Sequence, residues 1–101
     1  MQMDFDGLFS VKGKTVVITG GSRGIGEMMA AGFLKNGAKV FISSRKADAC
    51  AEAVERLKAY GEDVMAIPSD MSTLVGVNHL VSELSKHTDS VDVLINNAGA
   101  A

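Results

Sequence analysis

The sequence predicts an α/β fold: a doubly wound parallel sheet, strand order 3-2-1-4, with helices packed on its faces. Three observations predict it. Four short apolar runs alternate with three segments whose apolar residues recur at the helical period. The first run, Thr15-Val16-Val17-Ile18, is continuous, as a strand buried on both faces requires. It leads directly into Thr19-Gly20-Gly21-Ser22-Arg23-Gly24-Ile25-Gly26, a glycine turn that opens a helix.

The elements follow in order. Residues Met1–Ser10 read as an N-terminal arm, with Leu8 and Phe9 placed to pack on the first strand. Val11-Lys12-Gly13-Lys14 is a turn, and the domain occupies residues 11–101. Strand one is about Thr15–Thr19. Helix one runs from about Gly24 to Asn36, with Ile25, Met28, Met29, Gly32 and Phe33 as its inner face. Gly32 costs roughly 1 kcal/mol against Ala in a free helix, which points to close packing on the sheet. Asn36-Gly37 supplies a C-terminal cap. Strand two is Lys39–Ser43, and Ser44-Arg45-Lys46 turns the chain. Helix two spans about Ala47–Tyr60 on a stripe of Cys50, Ala53, Val54 and Leu57, and Gly61 stops it. Strand three is about Asp63–Ile67, ended by Pro68, with Ser69-Asp70-Met71 beyond. Helix three runs about Thr73–His87, with Ser72 as N-cap and Leu74, Val77, Val81 and Leu84 as its apolar face. Strand four is Val91–Ile95, followed by Asn96-Asn97-Ala98-Gly99.

In this strand order, strands one and four are neighbours at the topological switch point. Their carboxyl ends carry the glycine turn and the Asn-Asn-Ala-Gly turn side by side, at the crevice where open α/β sheets bind ligands. Strand four is then a bare apolar edge, of the kind that pairs with further strands. Helix three alone covers the second face, although parallel sheets are covered on both. The expectation is that the chain is the first part of a larger domain.

Composition narrows the function. Apolar residues make up 47% and charged residues 22% of 101 residues, as in a globular domain. The net charge of −2 gives no basic excess for nucleic acid or an anionic membrane. One cysteine, Cys50, forms no internal disulfide, and no Cys/His spacing suggests zinc or another metal. The start of the chain lacks the basic, then apolar, pattern of a secretory signal, and no apolar run reaches the ~20 residues of a membrane span. A cytoplasmic location is the expectation. Cys50, Met28, Met29 and Met65 read as core filling. His79 and His87 read as surface residues, and Asp48, Glu52, Glu55 and Arg56 as a solvated helix face.

The glycine turn carries the chemistry. A strand that turns through glycines into a helix presents backbone N–H groups and the positive end of the helix dipole, which suit a diphosphate. The spacing is G-x-x-x-G-x-G, at Gly20, Gly24 and Gly26. A P-loop needs Lys and then Ser/Thr after its last glycine, but Glu27-Met28 stand there. The G-x-G-x-x-G fingerprint fails too, because Met29 follows Gly24 and Gly26 where the third glycine belongs.

This turn, followed about seventy residues later by Asn96-Asn97-Ala98-Gly99, resembles the short-chain dehydrogenase/reductase family. The resemblance covers about Ser10 to Gly99 and implies the N-terminal part of a Rossmann NAD(P)-binding domain. Within the family, Leu8–Arg45 is similar to 3-oxoacyl reductases of the rhamnolipid type and to fungal reductases. The resemblance implies roles residue by residue. Gly20, Ser22, Gly24 and Ile25 line the pyrophosphate and its ribose, and Gly26 lets the helix pack close to the strand. Asp70 accepts from the adenine amino group, and the Met71 backbone lies along the ring. Asn97 and Ala98 contact the ribose region, and Asn96 ties strand four to its neighbours. It also implies a small carbonyl or alcohol substrate and a homo-oligomer for the complete protein, with no nucleic acid or membrane partner.

Cofactor choice follows from charge. NAD enzymes often carry an acidic residue at the end of strand two for the ribose 2′-hydroxyl. Here Ser44 stands there, with Arg45 next. Arg23 and Arg45 are both placed to meet a 2′-phosphate, which carries about −1.5 to −2 charge. The expectation is NADP(H) rather than NAD(H).

The catalytic Ser and Tyr-x-x-x-Lys of the family are not in this sequence. The one tyrosine, Tyr60, has Val64 four residues on. No catalytic residue is assigned, and the 101 residues alone are expected to be inactive. One reading is the cofactor-binding part of an NADP-dependent reductase. The other is a genuine short protein, a non-catalytic nucleotide-binding or partner-docking module.

Overall fold

The computed structural model describes residues 10–97. The expected packing of Leu8 and Phe9 and the role expected of Ala98 fall outside the described residues. The elements are β1 (Thr15–Thr19), α1 (Gly24–Lys35), β2 (Lys39–Ser43), α2 (Ala47–Leu57), β3 (Val64–Ala66), α3 (Leu74–Ser85) and β4 (Val93–Asn96). The strands form one parallel sheet in the order β3-β2-β1-β4, as the sequence predicts. Val17 lies opposite Phe41 on one side and Leu94 on the other. β1 is therefore hydrogen-bonded along both edges, and all five of its residues are buried.

Alternation along the strands divides the core in two. Val16 and Ile18 of β1, with Val40 and Ile42 of β2, pack against Ala30 and Leu34 of α1 and Ala53 and Leu57 of α2. Val17 and Phe41 point the other way, to Ile67, Leu80 and Leu84. α1 and α2 thus lie on one face of the sheet and α3 on the other.

The helices bury different stripes from those the apolar residues predict. α1 buries Gly26, Ala30 and Leu34, a four-residue step, with Met29 and Phe33 half-buried beside them. Ile25 and Met28 are 68% and 74% exposed. Gly32 is exposed as well, with open space where a Cβ would stand, so sheet packing does not explain it. The physical reason is distance. Small residues at positions 26 and 30 let the helix approach the sheet, and that contact sets its rotation. In α3 the buried residues are Gly76 and Leu80, with Val77 and Leu84 half-buried. Leu74 and Val81, expected inside, are exposed, again because a glycine marks the face that comes closest.

Smaller corrections concern ends and single residues. α2 stops at Leu57, short of Tyr60, and β3 is shortened to three residues. Met65 faces the open side of that edge strand and is exposed rather than core, while Cys50 is buried as expected. β4 starts at Val93 because Asp92 serves as an anchor. Its carboxylate accepts from the Thr15 N–H at 2.8 Å, and its own N–H donates to the Thr15 carbonyl at 2.9 Å. Leu94 on β4 is 66% exposed.

Candidate functional site

The carboxyl ends of the strands gather most of the residues singled out in the sequence. β1 ends in Gly20, whose φ of +73° begins the turn, and Gly24 follows at +62°. A side chain at either position is strained in this left-handed region. The Gly20 N–H donates to the Ser43 carbonyl at 2.6 Å, which ties the turn to β2. From the other side, the Asn97 carboxamide donates to the Gly20 carbonyl at 3.4 Å. The Asn97 N–H donates to the Thr19 carbonyl and hydroxyl at 3.2 and 3.1 Å. The Thr19 hydroxyl donates to Asn96 Oδ1 at 2.9 Å, so Asn96 does tie β4 to its neighbour. Gly26 sits where these groups meet. A Cβ there collides with the Gly20 carbonyl and lies 2.9 Å from the Asn97 amide nitrogen.

Past the turn, Ser22 is buried and Arg23 is exposed. Arg23 is the N-cap of α1, with extended backbone and no side-chain capping bond. The first amides of α1 therefore have no capping side chain, at the positive end of the helix dipole. α2 also starts without a side-chain cap, at Lys46. α3 differs. Thr73 caps it, accepting from the Gly76 N–H at 3.0 Å. Ser72, expected as the cap, is instead bound to Asp70.

Asp70 and Met71 follow β3 and are half-buried. Asp70 Oδ1 accepts from the Ser72 hydroxyl at 2.6 Å and the Ser72 N–H at 2.9 Å. These two bonds hold its carboxyl below the ordinary carboxylate range. Partial desolvation opposes them, and the charge of Arg45 adds a smaller effect in the same direction as the bonds. Arg45 and Asp70 are thus electrostatic neighbours. Met71 packs on the cluster around Val17 and Phe41. The half-buried Ser44 has its hydroxyl 3.5 Å from the Cys50 sulfur, and its carbonyl accepts from the Ser69 N–H at 2.9 Å. The Ser43 and Ser69 hydroxyls are buried without a hydrogen-bond partner among the described residues. Neither the Arg23 nor the Arg45 side chain makes a hydrogen bond or ion pair among them, although the Arg23 carbonyl accepts from the Glu27 N–H at 3.4 Å.

The structure therefore brings Gly20, Gly26 and Asn97 into contact, with Ser22, Gly24 and Ile25 along the same turn. It gathers Ser44, Arg45, Asp70 and Met71 at the ends of β2 and β3. Three contributors were missed in the sequence. Gly76 is one: a Cβ there runs into the backbone of Asp70. Glu27 and Arg56 form the second feature, a bidentate ion pair at 2.8 and 2.9 Å that lowers the Glu27 pKa chiefly through the hydrogen bond from Arg56. The signal for Gly76 is its place three residues after a capping Thr. Arg56, read as part of a solvated face, gives no such signal. His79 and His87 are exposed, and among the described residues no three His, Cys, Asp or Glu side chains form a metal-binding group. No helix among the described residues is long and apolar enough to cross a membrane.

Comparison with known proteins decides the family. The model of the short chain dehydrogenase family matches residues 14–101. The chain belongs to that family. Among short-chain dehydrogenases it is 48% identical, over 93 residues, to a rhamnolipids biosynthesis 3-oxoacyl-[acyl-carrier-protein] reductase of Pseudomonas aeruginosa. The match covers 92% of this chain and 36% of that protein. The solved Pseudomonas aeruginosa RhlG/NADP active-site complex superposes with a TM-score of 0.87 at 48% identity, covering 92% of this chain and 37% of that one. The L-sorbose reductase of Gluconobacter frateurii, complexed with NADPH and L-sorbose, gives 0.84 at 37% identity, covering 89% and 35%. The chain thus spans about a third of the length of the short-chain dehydrogenases it matches.

Proposed function

We propose that this chain is the NADP(H)-binding N-terminal portion of a short-chain dehydrogenase/reductase that reduces a carbonyl, of 3-oxoacyl type, or oxidises the corresponding alcohol. The observation that carries the reading is the α1 N-terminus, left without a capping side chain and closed on by the Gly20, Gly26 and Asn97 contacts. A diphosphate supplies the acceptors that those amides lack. Gly20, Ser22, Gly24, Ile25 and Gly26 hold it, and Asn97 and Ala98 hold the ribose. Asp70 accepts from the adenine amino group through Oδ2, since Ser72 occupies Oδ1. Met71 flanks the ring.

Arg23 and Arg45 meet the 2′-phosphate. Both are exposed and free of ion pairs among the described residues, and Ser44 brings no carboxylate to repel the phosphate. The similarity to reductases solved with NADP or NADPH supports this choice. When bound, the cofactor supplies a hydride to the carbonyl carbon. The residues described here bind and orient it. The family's Ser and Tyr-x-x-x-Lys are not among these 101 residues, so no acid or base is assigned to them. The protein acts in the cytoplasm as a homo-oligomer.

Titration of the protein with both cofactors tests the reading. NADPH binds more tightly than NADH. Arg45→Ala weakens NADPH by about tenfold, the scale of a lost charge-assisted hydrogen bond, and leaves NADH unchanged. Equal affinities in the wild type, or an unchanged NADPH affinity in the variant, overturn it.

A further inference from the structure

We infer that Arg56 is a positioning residue for the glycine turn, acting through the backbone carbonyl of Ser22. The inference rests on reading that turn as the diphosphate site. Arg56 lies in the last turn of α2, and its side chain is about half exposed. A free surface arginine there stays mobile, because holding it costs rotamer entropy. Instead its guanidinium makes three bonds. Nε donates to Glu27 Oε2 at 2.9 Å, and Nη2 donates to Glu27 Oε1 at 2.8 Å. Nη2 also donates to the Ser22 carbonyl at 3.2 Å. Glu27 is in the first turn of α1. One planar fork thus joins the end of α2, the start of α1 and the turn between β1 and α1.

The direction of these bonds matters. The described chain has no cis peptides, and in a trans peptide the C=O and the following N–H point opposite ways. Drawing the Ser22 carbonyl toward α2 therefore turns the Arg23 N–H away from α2. The Arg23 side chain makes no capping bond, and Gly21 before the Ser22–Arg23 pair and Gly24 after it give the turn little stiffness of its own. Fixing one peptide plane in advance lowers the entropy lost when an anion binds. The charge of Arg56 is matched by Glu27, so its contribution is geometric. It therefore acts equally on cofactors with and without a 2′-phosphate, unlike Arg45.

The test uses the full-length protein with Arg56→Ala, Arg56→Lys and Glu27→Gln. Two readouts are needed: dissociation constants for NADPH and NADH, and amide hydrogen exchange without cofactor. Arg56→Ala raises both constants by the same factor, about fivefold to tenfold, the scale of one hydrogen bond to a charged group. Lysine, lacking the fork, restores only part of this, and Glu27→Gln falls between. Exchange quickens at residues 22–26 and stays unchanged at 30–34. Unchanged exchange in the turn overturns the inference, as does a loss confined to NADPH, which makes Arg56 a phosphate ligand. General loss of protection through α1 and α2 also overturns it, by making the pair merely structural. If the turn loosens in Arg56→Ala while the wild type binds neither nucleotide, the positioning role stands and the diphosphate reading falls.

Discussion

The N-termini of α1 and α3 follow strand ends of the same sheet and are finished in opposite ways. α1 begins without a side-chain cap, and its turn is held by groups from elsewhere: Ser43 on β2, Asn97 after β4 and Arg56 on α2. α3 is closed locally. Thr73 caps it, and Asp70 binds Ser72 two residues on. The difference teaches how one sheet edge serves two purposes. The start of α1 has no side-chain acceptor for its first amides, as the proposed diphosphate site needs, and unlike α3 its turn takes its rigidity from distant residues. A helix start that only positions a loop carboxylate satisfies its amides within a few residues. Both depend on a glycine at the closest approach, Gly26 for α1 and Gly76 for α3.

Four perturbations test that contrast, taken from the largest effect to the smallest. Gly26→Ala drives a methyl group into the Gly20 carbonyl, a backbone atom that cannot swing aside. It lowers stability by about 3 kcal/mol and removes measurable NADPH binding, as melting and titration will show. Gly76→Ala meets the backbone of Asp70. It costs about 2 kcal/mol in denaturant melts and, if Asp70 holds the adenine as proposed, weakens NADPH and NADH together. Thr73→Ala removes a local cap. It costs about 1 kcal/mol while both dissociation constants stay as they were. A loss of affinity in Thr73→Ala erases the division of labour between the two helix starts.

The smallest effect is one of pH. Asp70 has its pKa lowered in the fold by the Ser72 bonds. Its contribution is therefore fully present above the unfolded pKa, about 3.9, and is lost as the pH falls through the lower folded value. Asp70→Asn flattens that part of the stability curve. An acid limb identical in the variant and the wild type refutes the assignment.

The fold was largely legible because β1 and β2 are continuous apolar runs and the glycine turn marks where the chain changes period. Helix faces were legible less well. Ile25, Met28, Leu74 and Val81 are apolar and recur at plausible spacing, yet they are exposed. The fold instead selects the sides where Gly26 meets the Gly20 turn, Ala30 packs in the core and Gly76 meets the Asp70 backbone, and small residues carry little weight in a hydrophobic pattern. In the site, Gly20, Gly24 and Gly26 were legible because positive φ and close approach both demand glycine. Asn96 was legible through its motif. Arg56 was not, because its partners lie 29 and 34 residues away and a helix-face arginine gives no local sign of them. Thr73 was displaced in the reading by Ser72, since adjacent hydroxyl residues cap equally well on paper and only the Asp70–Ser72 turn separates them.

The bonds that join β1 and its turn to Asn96 and Asn97 link residues 77 or 78 apart in sequence, among the longest separations in the described chain. Closing so long a loop costs entropy before any contact rewards it, so such pairings come late in folding. The turn can bend as soon as β1 and β2 pair, but its Gly20 carbonyl gains the Asn97 amide only when β4 docks. On a ribosome the glycine turn therefore emerges well before the strand that completes it. Any ligand that binds the completed turn better than the open one acts as a chemical chaperone for β4, drawing that strand onto the sheet by mass action.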